Sequence, residues 1–249
     1  MGLTLPHQRA RTLDGLLEGQ DGAASAIIDH DGTRFSYGEL ADMVAQAAGA
    51  LGALGIRPGD RVLLVSENCA LYAAAVFALN RLRAWIAPVN ARHTPAELVA
   101  IAEHSGARAM IFTTTASPSA AQHANEHDAQ PIADLSAGPL MVAGPFAAAP
   151  EPVERDRAQE VAALMYTTGT TSAPKGVMLT NANLTWNART SAILRDFTAA
   201  DEVLGVLPGT HIFGFASTFL SAIWAGAAIR FLPRFSASAV LDAFEAGVT

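Results

Sequence analysis

Between Arg61 and Phe112 the chain alternates short, continuously apolar runs with helix-length segments. Arg61 to Ser66, Trp85 to Pro88 and Ala109 to Phe112 have strand length, whereas Leu71 to Leu82 and Thr94 to Gly106 have helix length. A strand that is apolar at nearly every position is buried on both faces, and parallel neighbours need a crossover of roughly a dozen or more residues. The alternation therefore predicts an α/β fold of parallel β-sheets layered with helices. No internal repeat is evident.

Local chemistry marks the element ends. Ser36 with Glu39, and Thr94 with Glu97, have the spacing of a capping box, in which hydroxyl and carboxylate each accept a backbone amide from the other residue. Pro95 suits the first helical position, Gly106 closes that helix, and Gly55 ends one carrying Val44, Ala47, Ala48, Leu51 and Leu54. Ala26 to Asp29, a turn at Asp31-Gly32 and Arg34-Phe35 predict a hairpin. From Thr113 to Ala149 the pattern weakens. The charged stretch Glu151 to Glu160 reads as a solvated linker or surface helix, with a subdomain junction near 148–160. Val161 to Met165, Val203 to Leu207 and Ala227 to Leu232 predict further strands. Asn181 is expected to cap a helix reaching about Asp196, His211 to open a long apolar helix, and Ser236 to start the last one.

The 249 residues carry 16 basic and 23 acidic side chains, a formal net charge of -7, and no basic stripe. This argues against a nucleic-acid partner. The single cysteine, Cys69, excludes an intramolecular disulfide and a cysteine-based metal site, and its apolar surroundings predict a buried, inert thiol. The segment Met1 to Pro6 has no signal-peptide core, and Pro6 spoils a myristoylation pattern. Ile212 to Ile229 approaches the roughly 18-residue length of a membrane span. Ser217, Thr218 and Ser221, with Gly214 and Gly226, favour a helix buried in a globular core instead. A cytoplasmic protein with no membrane span is the expectation. His7, His30, His93, His104, His123 and His127 show no metal-ligand spacing.

Tyr166-Thr167-Thr168-Gly169-Thr170-Thr171-Ser172-Ala173-Pro174-Lys175-Gly176-Val177 carries the clearest chemistry. Small residues let backbone amides turn toward one point, hydroxyls add donors, and Lys175 adds a full positive charge. That is the chemistry of a polyphosphate site, entered by the apolar run Val161 to Met165 and left through Val177-Met178-Leu179. A Walker-type loop needs glycine before its lysine and Ser or Thr after it. Pro174 and Gly176 occupy those positions, so a phosphate-loop NTPase is disfavoured.

This loop resembles the signature of the adenylate-forming (AMP-binding) superfamily, which includes acyl-CoA synthetases, aryl-CoA ligases, luciferases and peptide-synthetase adenylation domains. Further blocks are similar in the same order: Phe35 to Leu40, Gly55 to Val62, Glu67-Asn68, Phe77 to Ala84, Pro88 to Asn90, Thr94 to Leu98, Leu207-Pro208 and His211 to Gly214. There are departures. Thr168 stands where serine is usual and Ser172 where glycine is usual. Gly209-Thr210 replaces a bulky pair, which implies a missing aromatic wall and slightly more room at the acyl site.

The resemblance implies an ATP-dependent, AMP-forming acid–thiol ligase. Its partners would be a small-molecule carboxylate (a fatty or aryl acid), ATP with Mg2+, and coenzyme A. By resemblance, Thr167, Thr168, Gly169, Thr170, Thr171 and Lys175 hold the β- and γ-phosphates. His211 lies beside the adenylate and acyl groups, with Phe213 and Gly214 shaping the acyl pocket; a structural or capping histidine is the competing reading. The resemblance covers only the first part of a family member. Counterparts of the later glutamate, the ribose-binding aspartate and the lysine of the mobile C-terminal domain are absent. Residues 1–249 are thus expected to be a truncated N-terminal AMP-binding domain, inactive alone. The alternative is a non-catalytic nucleotide-binding module descended from such a ligase. Carboxylate, acceptor thiol and oligomeric state are not legible.

Overall fold

A computed structural model describes residues 9–167, 174–245 and 247–248. The larger of its two sheets has seven strands. At its centre β3 (Arg61–Ser66) pairs in parallel with β4 (Trp85–Asn90) and β5 (Ala109–Phe112), and β4 pairs in parallel with β8 (Val161–Thr167). The edges are antiparallel: β9 (Lys175–Thr180) returns along β8, and β7 (Gly138–Ala143) joins β5 to the outermost β6 (Gln130–Leu135). The second sheet is ordered β10 (Glu202–Gly205), β11 (Ala228–Phe231), β1 (Ser25–Ile28), β2 (Arg34–Ser36), with only the β1–β2 hairpin antiparallel. The α/β expectation holds, although both sheets are mixed rather than wholly parallel.

All six residues of β3 are buried, and its period of two divides the core. Val62 and Leu64 face α1 (Tyr37–Ala53) and α2 (Ala70–Arg81), in a core that continues to Ile27, Ile229 and Phe231 of the second sheet. Leu63 and Val65 face the opposite core under α3 (Pro95–Ser105) and α4 (Pro118–Glu126). Helix α2 is buried from Ala70 through Asn80, so it packs as an interior layer rather than as an amphipathic surface helix. Both capping boxes form, and Gly106 ends α3 at φ +60°, which glycine adopts without a Cβ penalty.

Several expectations are corrected. The weak stretch Thr113 to Ala149 holds α4, β6 and β7. Thr180, not Asn181, caps α5 (Asn181–Leu194). The buried Asn181 carboxamide instead accepts from the Leu13 amide (3.1 Å) and Asn80 Nδ2 (2.9 Å) and donates to the Arg157 carbonyl (2.8 Å). The apolar segment after His211 is π-helical over Phe213–Leu220 before becoming α6 (Ser221–Ala225). Among the described residues no helix is long and apolar enough to cross a membrane. The last helix is α7 (Ala237–Glu245). The stretch from Glu151 to Glu160 is mostly exposed, and Arg61, Arg83 and Asp14 tie it to the body through Glu151, Glu160 and Arg157.

Candidate active site

A cleft of about 710 Å3 opens at the carboxyl ends of β4 and β8, where open α/β sheets bind ligands. Its apolar floor includes Met165, Val177 and Leu179, and its polar side includes Asn90, Arg92 and Glu97. The turn after β10 closes the far side with Pro208, Thr210 and His211. The cleft therefore joins the carboxyl end of β8 to the histidine turn.

Thr167 ends β8, lines the cleft and pairs with Lys175, the first residue of β9. Both side chains are exposed. Lys175 stands at this hairpin tip and does not line the cleft. Thr168, Gly169, Thr170 and Thr171, with Ser172 and Ala173, lie outside the described residues. Beside Thr167, the Tyr166 ring sits opposite Gly176, where an added Cβ would lie 2.8 Å from Leu164 and 3.3 Å from Tyr166 Cζ. The Tyr166 hydroxyl lies 2.9 Å from His104 Nδ1, and burial pushes its pKa up, which makes it a weaker acid.

His211 both caps and faces the cleft. Its Nδ1 accepts the Phe213 amide at 3.3 Å, at the start of the π-helical segment. An accepting Nδ1 means that a neutral ring carries its proton on Nε2. The backbone around it is held from below. Asn68, buried just after β3, accepts the Gly209 amide at 2.7 Å and donates to the Gly205 and Leu207 carbonyls, each at 2.9 Å. Tyr72 of α2 donates its hydroxyl to the Gly209 carbonyl at 2.7 Å.

This packing overturns the expected extra room at Gly209. A Cβ there would lie 2.6 Å from the Tyr72 ring, so the space is already filled. Gly214 is buried for a similar reason: its Cβ would meet the Pro208 carbonyl oxygen at 2.2 Å. Phe213 is 48% exposed and stacks with the Arg195 guanidinium, 5.6 Å from its ring centroid. Neither Phe213 nor Gly214 lines the cleft. Asn68 and Tyr72 were not singled out as site residues from sequence. In the sequence Glu67-Asn68 is only part of a similar block, and Tyr72 falls within the helix-length segment Leu71 to Leu82 with no signal of its own.

The residues described do not suit a magnesium ion. Among the described residues Glu97 is the sole acidic side chain lining the cleft, and its carboxylate already accepts the Thr94 amide at 2.8 Å and the Thr94 hydroxyl at 2.9 Å. Among the described residues no group of three His, Cys, Asp or Glu side chains could hold a metal.

The chain belongs to the AMP-binding enzyme family, whose model matches residues 18–249. It is 35% identical over 228 residues to a feruloyl-CoA synthase of Amycolatopsis sp, covering 89% of this chain and 43% of that protein. It is 29% identical to 4-coumarate--CoA ligase 3 of Oryza sativa subsp. japonica, covering 89% of this chain and 41% of the relative. The chain thus spans less than half the length of these relatives. ATP-bound MatB from Rhodopseudomonas palustris superposes with a TM-score of 0.77 at 26% identity, covering 96% of this chain and 48% of that one. Apo MbtA of Mycobacterium smegmatis gives 0.76 at 32% identity, with 98% and 48% covered.

Proposed function

We propose that these residues form the nucleotide- and acid-binding part of an AMP-forming ligase that converts an aryl carboxylate to its CoA thioester. The observation carrying this reading is the single cleft that Thr167 and His211 share at the carboxyl ends of β4 and β8. Its apolar floor of Met165, Val177 and Leu179 suits a planar or alkyl acid, and the feruloyl and coumaroyl relatives favour an aryl one.

In this account the substrate carboxylate oxygen attacks the α-phosphorus of ATP. An oxygen–phosphorus bond forms, the bond to the β-phosphate bridge breaks, and pyrophosphate leaves. Anion must approach anion, so the protein's task is charge compensation and orientation. Lys175 and the hydroxyls from Thr167 to Thr171 hold the leaving phosphates. The Nε2–H of His211 donates to an oxygen of the developing adenylate. Gly214 and Phe213 act on the acyl side by seating the π-helical segment that carries this turn. In a second step the CoA sulfur attacks the acyl carbon, the carbon–sulfur bond forms, the bond to the adenylate oxygen breaks and AMP leaves.

The test is a non-hydrolysable cinnamoyl-adenylate mimic titrated into the chain. The mimic should displace ATP competitively, and His211→Ala should weaken it by about tenfold, equivalent to about 1.4 kcal/mol. Simultaneous binding of mimic and ATP would refute the shared cleft.

A further inference from the structure

A second groove, of about 640 Å3, lies at the opposite end of β8. Gln159, just before β8, lines this groove, whereas Thr167 at the other end lines the cleft. Seven strand residues at about 3.3 Å each put the two roughly 20 Å apart. One wall is a face of α5 carrying Trp186 and Arg189, and the other is formed by Arg9, Arg11 and Trp224. Among the described residues no acidic side chain lines it, although acids outnumber bases 23 to 16 in the chain. Asp156 holds Arg11 at 2.7 Å, and among the described residues lining the groove there is no carboxylate for Arg9 or Arg189. Trp186 is 66% exposed, an unusual place for an indole with no apolar role.

Guanidinium groups match carboxylate and phosphate oxygens as planar forks, and an indole face accepts a planar ring. The volume is that of a small-molecule site. We propose that this groove is a second binding site, which takes a planar aromatic anion. The ring lies against Trp186, and the carboxylate or phosphate lies on Arg9 and Arg189. Aryl acids and adenine nucleotides share that chemistry.

The three tryptophans make the site observable, since two of them, Trp186 and Trp224, line the groove, while Trp85 begins β4. Titrating the chain with benzoate, AMP and inorganic phosphate, by calorimetry and by tryptophan fluorescence, tests the proposal. Benzoate, AMP or both should bind with saturable quenching, and phosphate more weakly than whichever binds. The aromatic probe that quenches identifies the acid or the nucleotide as the source. Arg189→Gln should weaken binding by about tenfold and Trp186→Ala should do the same by calorimetry, while neither change weakens binding of the adenylate mimic in the cleft. Arg189 and Trp186 are exposed, so neither variant threatens the fold. Absence of saturable quenching by either aromatic probe, or affinity equal to wild type in both groove variants, would overturn the proposal. Because the groove variants act on this site and leave the cleft's binding of the adenylate mimic intact, failure of this site is distinguishable from failure of the cleft.

Discussion

Asn68 Oδ1 accepts the Gly209 amide at 2.7 Å, so one buried carboxamide after β3 fixes the turn that presents His211. The same side chain bridges the two sheets by donating to Gly205 at the end of β10 and to Leu207 beyond it. Asn68→Ala strands the Gly209 amide and removes the donor to the Gly205, Leu207 and Leu232 carbonyls. Each unsatisfied group costs about 1–3 kcal/mol, partly relieved by water. The expected loss is about 2–4 kcal/mol in urea unfolding, with weaker binding of the adenylate mimic. A change below about 0.5 kcal/mol, the level of a neutral surface change, would contradict the role.

Gly209 and Tyr72 are a matched pair, with the ring occupying the place of a Cβ. Gly209→Ala overpacks the site and should destabilise by about 1–3 kcal/mol. In the Tyr72→Leu background the same change should cost clearly less, because the clash is gone. Additive effects in that double-mutant cycle would mean that the two residues do not compete for space.

The Glu97 carboxyl is held below its usual value of 4.5, first by the Thr94 amide and then by the Thr94 hydroxyl. A carboxyl depressed in the folded state contributes stability above its unfolded value and loses it as pH falls through the folded one. Glu97→Gln should therefore be less stable than wild type at neutral pH and converge with it as pH drops well below 4.5. A gap that stays constant from pH 7 to pH 3 would show that the cap bond does not titrate.

The Cys69 thiol is buried at the start of α2, and burial, followed by the nearby Asp29 charge, pushes it up to about 12. Iodoacetamide should leave the native protein unlabelled at pH 8 and label it fully in urea, since only the thiolate reacts. Rapid labelling of the folded chain would contradict the packing of α2.

The parts legible in sequence were those whose signal is local. Capping boxes at Ser36 and Thr94, the apolar run of β3 and the turn at Gly106 each declare themselves within a few residues. The missed elements depend on distant partners. β6 is largely exposed and gains its ladder only from β7, while α4 is a short polar helix whose Ser117 cap lacks an acid at the third position. Asn181 was assigned to capping because its residue type suits it. Its buried bonds to Leu13 and Asn80 come from segments 168 and 101 residues away. Within the site, Thr167 and His211 were found by resemblance and the cleft brings them together, whereas Gly209 misled because only Tyr72 explains it.

The central claim is that the hairpin tip at Thr167 and Lys175 grips the phosphate tail of ATP. Calorimetric titration of ATP into wild type and Lys175→Ala measures it directly. Loss of one charge-assisted contact to phosphate should weaken binding by about tenfold or more. AMP, which lacks that tail, should show no difference between the two proteins. Equal ATP affinity in wild type and variant would contradict the account.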